Sequence, residues 1–377
     1  MSVVLRGMTW EHARGHGSVV AAAEAYRAVA PGVEVRWEYR SLQAFADHPI
    51  DQLVHDYDLL VIDHPHIPLA AEEGLFAALD GAGHDAELAE LATQSVGASH
   101  DSYRHGGHQY GLATDAAAQV AAYRPDLLAE PPRDWPAVLE LARAGRVLWP
   151  AKPIDAFSSL VTIAATSGTS PMAVPGTFLG HDDAAPVLAI MHELAALVPE
   201  SNLGWNPIQT ADALSAGDEH WYSPLLFGYT NYSRDGFREH PLRYTDIPAG
   251  SNGVAGSLLG GAGIAVSAYS PHLAEAVDHA FWLASPEVQE GVYFDGGGQP
   301  GYAAAWDSDR TNALARDFFR STRRTLEGAY VRPRFAGYIE FQDIVSPLVT
   351  AALRGELSDR DLIDVANGHA ARLLTED

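Results

Sequence analysis

The strongest constraint on the fold is an alternation along the first half of the chain between short apolar, β-favouring runs and alanine-rich helical stretches. Residues 3–5, 33–39 and 58–62 have the composition of strands. Between them, residues 18–29 carry apolar side chains three and four positions apart, which is typical of a helix with one buried face. This order suits a sheet built from βα units, so the sequence predicts an α/β fold.

The rest of the chain is richer in helices. A length of 377 residues is enough for two lobes. An apolar, glycine-rich run at 258–266 predicts a return to strand structure. The predicted helices lie at 135–144, 158–166, 184–197, 208–216 and 271–284, and one or two amphipathic helices are expected within 348–374.

Composition excludes several classes of protein. The chain has 24 Lys and Arg against 49 Asp and Glu, a formal net charge of −25, so nucleic acid and anionic membranes are not expected partners. It has no cysteine, which excludes disulfides, thiol nucleophiles and zinc–thiolate sites. Lys152 is its single lysine, so any lysine-based chemistry depends on that residue. No cofactor is predicted.

No secretion signal is recognisable at the start of the sequence, because the apolar run at 3–5 is short and predicts a strand. The uncharged stretches at 156–180 and 248–271 are interrupted by Gly, Pro, Ser and Thr, so membrane insertion is not expected. We therefore expect a cytoplasmic protein as the sequence is written, or a periplasmic or extracellular one if the sequence is a trimmed mature form.

A dense group of chemically versatile side chains follows the first predicted strand. Trp10 offers an aromatic face for a sugar ring, while Glu11, His12 and Arg14 offer groups for hydroxyls or a carboxylate. Ligands of open α/β sheets bind beyond the carboxyl ends of strands. We therefore predict ligand contacts here. The alternative is a polar loop in which Trp10 is buried for packing.

A second polar group ends another predicted strand. His64 and His66 flank Pro65 directly after the buried run at 58–62, which places them at the same edge of the sheet. They are predicted to contact ligand or transfer protons, with a structural role and a metal site as alternatives. A metal needs further converging ligands, and no metal is predicted.

Several motifs, spread over most of the chain, resemble the family 1 extracellular solute-binding proteins, the sugar-type binding components of bacterial ABC importers. The most specific stretch is a glycine-rich strand, a helix and a Ser-Pro-Glu-Val-Gln sequence at 260–289, followed by Gly-Gln-Pro-Gly at 298–301. Further similar segments lie at 110–128, 135–139, 213–218, 332–334 and 338–342.

This resemblance implies a periplasmic-binding-protein-like fold of two α/β lobes with a ligand cleft between them and hinge closure on binding. Lobe I is predicted to comprise 1–112 and 255–308, and lobe II 113–254 and 309–377. A small polar solute and an importer permease are the implied partners. Thr114 and Asp115 lie at the predicted crossing between lobes, where the family commonly has an acidic ligand contact. A helix N-cap is the alternative role for Asp115.

Two further groups complete the predicted site. Gly261 belongs to a glycine run whose spacing does not match a phosphate-binding loop, so we predict backbone approach to a ligand or hinge packing. Tyr222, Tyr229 and Asn231 have the composition of a carbohydrate-binding wall, although aromatic rings also fill cores.

The leading functional hypothesis is capture of a small hydroxyl-rich solute, namely a sugar, polyol or sugar acid. The first alternative is a cytoplasmic lyase, isomerase or hydrolase on the same scaffold. The second is an intracellular ligand sensor acting through a partner protein.

The net charge of the chain disfavours anionic ligands unless nearby arginines override it. The candidate arginines are Arg14, Arg332 and Arg334. If the protein is an enzyme, the acid–base candidates are Glu11, His12, His64, His66 and Asp115.

Overall fold

The computed structural model describes residues 2–41 and 50–375. The strands are β1 (Val3–Trp10), β2 (Val33–Arg40), β3 (Leu59–Ile62), β4 (Arg104–His105), β5 (His108–Gln109), β6 (Leu112–Ala113), β7 (Ala117–Tyr123), β8 (Tyr222–Phe227), β9 (Arg243–Thr245), β10 (Leu259–Gly260) and β11 (Gly263–Val266). The helices are α1 (Ser18–Val29), α2 (Ile50–Asp56), α3 (Ile67–Glu72), α4 (Asp85–Gln94), α5 (Trp135–Arg143), α6 (Pro153–Thr166), α7 (His181–Leu197), α8 (Pro207–Ala216), α9 (Leu273–Ala284), α10 (Pro286–Val288), α11 (Ala303–Asp307), α12 (Asp309–Leu314), α13 (Phe318–Glu327), α14 (Tyr338–Leu353) and α15 (Asp359–Leu373).

The chain divides into two compact units. Unit 1 comprises 1–116 and 260–313, and unit 2 comprises 117–259 and 314–377. These boundaries lie four or five residues further along the chain than the predicted ones at 112, 254 and 308. The first difference arises because the chain remains hydrogen-bonded within unit 1 as far as Ala116, whose N–H donates to the Gln299 carbonyl at 3.1 Å. No helix in the described ranges is long and apolar enough to cross a membrane.

Unit 1 is built on a sheet with strand order β2-β1-β3-β11-β6. β1 runs parallel to β2 and β3, whereas β11 is antiparallel to β3 and β6. Apolar side chains from the sheet pack with α1 and α9 in one core, to which Leu5, Leu59 and Ile264 contribute. Met8 and Leu60 belong to a second apolar cluster. These two clusters bury the apolar side chains of a mixed sheet, in which two strand pairings are parallel and two are antiparallel.

Unit 2 is richer in helices, as the sequence predicted. Its sheet has the order β10-β7-β8, and β9 pairs with β7. Helix α6 packs against α7 and α14. The rings of Phe157, Phe178 and Phe341 form a triangle with centroid separations of 5.6–6.2 Å at the centre of this packing. Aromatic groups at these separations add specific ring–ring contacts to the area that they bury.

Most predicted elements occur, with informative differences in length. The helix predicted at 18–29 is confirmed as α1. β1 extends to Trp10, well beyond the predicted end at residue 5, because it pairs with β2 along its whole length. The predicted C-terminal helical stretch began at residue 348, whereas α14 begins ten residues earlier and contains Pro347. Because proline usually interrupts a helix, Pro347 led the sequence prediction to miss the part of α14 that precedes it.

The apolar run at 258–266 also differs from its prediction. It forms two short strands, β10 and β11, rather than one continuous strand. Gly261 lies between them with φ of +99°, a conformation that favours glycine and breaks the extended run.

Arg124 is a fully buried cation that organises one end of unit 2. Its guanidinium contacts the carboxylate of Asp126 at 2.7 and 2.9 Å and that of Asp218 at 2.9 Å. It also donates to the carbonyls of Leu214, at 3.2 Å, and Gly217. A cation at these carbonyls satisfies the C-terminal end of α8 and interacts favourably with its dipole.

We therefore expect Arg124→Met to destabilise unit 2 by about 2–4 kcal/mol, because two carbonyls lose their donors and two carboxylates lose their counter-ion. Urea unfolding would measure this loss. The matched control is Arg143→Met, which removes an ion pair with Glu193 between two half-exposed side chains; it should cost no more than about 1 kcal/mol. Equal effects of the two substitutions would contradict the structural role of Arg124.

His279 is fully buried in unit 1 among aromatic rings. Its ring centroid lies 4.6 Å from that of Tyr26, 5.8 Å from that of Trp282 and 6.5 Å from that of Trp37. Neither ring nitrogen has a hydrogen-bond partner among the described residues. Burial lowers the pKa of His279 from 6.5 to about 3, because the charged imidazolium loses its hydration there.

Acidification should therefore destabilise unit 1. The unfolded chain binds a proton at His279 below pH 6.5 and the folded chain only near pH 3, so His279 reduces the free energy of unfolding by about 1.4 kcal/mol per pH unit in that interval. Urea unfolding of His279→Leu between pH 7 and pH 4 should show a correspondingly shallower slope. Val277→Ala, a control without a titratable group, should lower stability equally at every pH. If the free energy of unfolding of His279→Leu falls with pH as steeply as that of the wild type, His279 is not the source of the acid destabilisation.

Candidate ligand-binding site

The sheet of unit 1 gathers several of the predicted site residues at one edge. β1 and β3 are parallel, so their carboxyl ends, at Trp10 and Ile62, point the same way. β11 is antiparallel and begins at Gly263, which pairs with both Ile62 and Ala113. This register brings the segments 10–14, 63–66, 113–115 and 261–263 to a single edge, which we call the carboxyl edge of unit 1.

A π-helical turn, Ala13–Gly17, follows β1 at the carboxyl edge. The Nδ1 atom of His12 accepts a hydrogen bond from the Arg14 N–H at 3.0 Å and caps the turn. Trp10 is buried, and a Cβ atom placed on Gly15 would lie 2.5 Å from its indole. Only a glycine allows this backbone to lie against the ring. The packing alternative for Trp10 therefore has structural support, while its contact with ligand stays a prediction.

Arg14 and Asp115, 101 residues apart in sequence, form a buried bidentate ion pair. Arg14 Nε lies 2.7 Å from Asp115 Oδ2, and an Nη group contacts Oδ1. The two side chains are 5% and 0% exposed. Burial raises the pKa of Asp115, and the guanidinium together with a backbone N–H of Ala262 opposes that rise. Paired guanidinium and carboxylate planes satisfy one another, which makes burial of both charges tolerable.

The ion pair with Arg14 limits the functions that the Asp115 side chain can have. No helix begins at Asp115, so the N-cap alternative is wrong; the residue instead forms an isolated bridge with Pro300. Its backbone N–H donates to the Ala262 carbonyl at 2.8 Å. The carboxylate predicted to hold ligand hydroxyls is thus engaged by Arg14, and Thr114 beside it is buried. Direct ligand contact by either residue stays a prediction.

Residues that the sequence analysis did not select support the ion pair. The Ser18 hydroxyl donates to the carbonyls of Arg14 and Gly15, at 2.8 and 2.9 Å, and so ties the π-turn to α1. Tyr293 is fully buried and interacts electrostatically with both Arg14 and Asp115. Tyr293 is supplied by a segment distant in sequence, so no local signal identifies it.

The rim of the carboxyl edge carries the accessible polar groups. Glu11 is exposed, and His12, Asp63, His66 and Gly261 are partly exposed. Carboxylate, imidazole and backbone groups of this kind can donate to and accept from hydroxyls.

His64 has a different position from His66. Its side chain is buried, with its ring centroid 6.2 Å from that of Tyr103 in an edge-on arrangement. The acid–base candidates named for the enzyme alternative thus differ in their environments. Glu11 is exposed, the Asp115 carboxylate is neutralised by Arg14, and the histidines differ in exposure. Within the described ranges, no cluster of three or more His, Asp or Glu side chains is arranged to hold a metal.

The three candidates in unit 2 are all buried. Tyr222 begins β8, pairs with Tyr123 across the sheet and belongs to the apolar core of unit 2. Tyr229 and Asn231 follow the other end of the same strand, near a 3₁₀ turn at Thr230–Ser233. The packing alternative for Tyr222 therefore has structural support, while ligand contact by any of the three residues stays a prediction.

Asp115→Asn should destabilise unit 1 by about 3–5 kcal/mol, because it leaves the Arg14 guanidinium buried without a counter-ion. The double variant Arg14→Met/Asp115→Leu removes both charges and should recover most of that loss. Urea unfolding of Arg14→Met, Asp115→Leu and the double variant measures the coupling free energy. Additive effects, with no recovery in the double variant, would show that the ion pair does not act as a unit.

This fold, with its polar carboxyl edge, is that of solute-binding proteins of the periplasmic type. Residues 21–315 match the model of the family described as bacterial extracellular solute-binding protein. The chain belongs to this family, as its sequence motifs indicated.

Solved structures agree in fold at low sequence identity. A solute-binding protein of an ABC transporter from Agrobacterium radiobacter, in complex with ribitol, is similar with a TM-score of 0.84 and 19% identity over 98% of each chain. Maltose-bound MalE3 of T. maritima has a TM-score of 0.82 and 18% identity over 98% of this chain and 99% of its own. A solute-binding protein from Thermotoga lettingae, bound with α-D-tagatose, has a TM-score of 0.82 and 16% identity over 99% of this chain and 100% of its own.

Proposed function

We propose that this solute-binding protein captures a small hydroxyl-rich ligand, a sugar, polyol or sugar acid, at the carboxyl edge of unit 1. The observation that carries the proposal is the arrangement of accessible polar groups on this rim, from Glu11 and His12 on one segment to His66 and Gly261 on others. Beneath them the buried Arg14–Asp115 pair fixes the backbone of two of these segments. Ligand sites of α/β sheets form at such edges.

The chemistry of the rim suits hydroxyls. The Glu11 carboxylate accepts hydrogen bonds, and the imidazole of His66 offers two ring nitrogens that can donate or accept. Hydroxyls likewise donate and accept, so the groups are complementary. Similar folds that bind ribitol, maltose and tagatose support this class of ligand.

The partner that follows from this function is the permease of an ABC importer, to which the protein would deliver its ligand. Relatives described as ABC transporter solute-binding proteins support this assignment. The cellular location given in the sequence analysis stays a prediction.

The proposal is tested by saturation-transfer NMR and calorimetry on the purified chain with a panel of sugars, polyols and sugar acids. We expect saturation transfer to at least one compound that stays chemically unchanged over hours. A panel without any binding would refute the proposal. Appearance of product signals would instead identify an enzyme.

For a ligand found in this way, Glu11→Gln should weaken binding about 10- to 100-fold, because a charge-assisted hydrogen bond is replaced by a weaker neutral one. Its melting temperature should remain that of the wild type, since Glu11 is exposed. Glu73→Gln, at an exposed acid elsewhere in unit 1, serves as the control with the same change in charge. Unaltered affinity in Glu11→Gln would remove Glu11 from the site.

A further inference from the structure

Tyr39 is an exposed aromatic residue near the carboxyl end of β2, with 50% of its surface accessible to solvent. β2 runs parallel to β1, and Tyr39 lies opposite Thr9 in the register of the two strands. One residue further on, the carbonyl of Arg40 accepts a hydrogen bond from the Glu11 N–H at 2.7 Å. The backbone that carries Tyr39 is therefore joined directly to the rim residue Glu11.

The ring of Tyr39 packs against the π-turn of the carboxyl edge. Its centroid lies 4.4 Å from that of His16 in an edge-on arrangement. The His16 N–H in turn donates to the His12 carbonyl at 2.8 Å, so the supporting imidazole belongs to the turn that His12 caps. Both β2 and the π-turn thus hold this accessible ring beside the segment that carries Glu11 and His12.

Trp10, the aromatic residue that the sequence analysis selected at this edge, offers little surface to a ligand. It is 4% exposed and belongs to an apolar core of unit 1. The backbone of Gly15 lies against its indole, where even a Cβ atom would come within 2.5 Å of the ring. A ligand gains from packing on an aromatic face that water also reaches, because the gain comes from removal of apolar surface from water. Tyr39 meets this requirement and Trp10 does not.

A second tyrosine in the described part of unit 1 is exposed to the same degree. Tyr269 is 51% exposed, and its ring centroid lies 4.3 Å from that of His55. It follows β11, whose last residue, Val266, pairs with Leu59, the first residue of β3. Since the carboxyl edge lies at the other end of β3, Tyr269 lies at the opposite edge of the sheet. The two tyrosines share their exposure and the type of residue that they contact, but they differ in their position relative to the rim.

We propose that Tyr39 is the surface on which the ring of a cyclic sugar packs, while Glu11 and His12 bind its hydroxyls. This inference rests on the proposed function and narrows its ligand class to sugars in ring form. A closed sugar ring presents C–H groups on a nearly flat face, which an aromatic ring can cover and remove from water. The hydroxyls of the sugar point outward around that face, toward groups that donate and accept hydrogen bonds.

An open-chain polyol fits this arrangement less well. Its carbon chain has no fixed flat face, and the ordering of its rotatable bonds on the protein costs conformational entropy that a closed ring does not lose. A flat aromatic surface beside hydrogen-bonding groups therefore favours the closed ring over an open chain with the same hydroxyl chemistry.

The test compares ligands that differ in ring closure but not in charge. Calorimetry on the full chain would measure methyl glucoside, methyl galactoside and glucuronate against glucitol, galactitol and gluconate. We expect at least one ring-form compound to bind about 10-fold or more tightly than its open-chain counterpart. Open-chain compounds that bind as tightly as the closed ones would overturn the inference while solute binding stands. Failure of every sugar, polyol and sugar acid to bind would refute the proposed function and this inference together.

Variants of Tyr39 provide an independent test. Tyr39→Ala should reduce affinity for the ring-form sugar about 10- to 100-fold, because the packing surface is lost. Tyr39→Phe keeps the ring and removes the hydroxyl, so it should bind nearly as well as the wild type. The matched control is Tyr269→Ala, which removes an equally exposed tyrosine from the opposite edge and should leave affinity unchanged. Both alanine variants lose one ring contact with a histidine, so their melting temperatures should be similar.

The position of the sugar on the Tyr39 ring is measured directly by NMR. Protons that lie over an aromatic face are shielded by the ring current, so C–H signals of the ligand should move upfield on binding to the wild type and to Tyr39→Phe. The upfield shift should be absent with Tyr39→Ala. Equal losses of affinity in Tyr39→Phe and Tyr39→Ala would assign the effect to the hydroxyl and overturn the inference. Unchanged affinity in Tyr39→Ala would overturn it as well.

Discussion

The ion pair between Arg14 and Asp115 is the interaction on which the candidate site depends. Two charges are removed from water inside unit 1, and this is tolerable only because the guanidinium and carboxylate meet in a bidentate arrangement. The pair joins the π-turn after β1 to the segment that follows β6. The two segments could otherwise move apart, since no regular strand pairing connects them directly. The positions of the rim residues therefore depend on the buried Arg14–Asp115 ion pair beneath them.

The sequence predicted those features that arise from local patterns. Apolar spacing predicted α1 to the residue, and alternation of strand and helix signals predicted the α/β class. The topology rule for parallel strands then placed residues 10–14 and 63–66 at one edge, which the structure also does. The family was indicated by motifs distributed along most of the chain, and the matching family model confirms it.

Features that arise from contacts between distant segments were not predictable in this way. Arg14 and Asp115 were each selected as ligand contacts, yet nothing local to either residue indicates that they pair. Tyr222 was selected for its aromatic side chain, but β8 directs it into the core. Arg124 has two acidic partners that nothing in its local sequence identifies as a pair, because Asp218 lies 94 residues away. Burial and pairing depend on tertiary packing rather than on residue type.

The π-helical turn at Ala13–Gly17 makes the length of this part of the chain as important as its composition. The carbonyl of His12 accepts hydrogen bonds from the N–H groups of both His16 and Gly17, as the wider turn requires. Loss of one residue here would convert it to an ordinary turn and rotate the preceding side chains by about 100° around the axis. Arg14 would then leave the interior, and Glu11 and His12 would leave the rim. Insertion or deletion of a single residue in this segment is therefore as disruptive as replacement of Arg14 or Gly15, even though it leaves every other side chain unchanged.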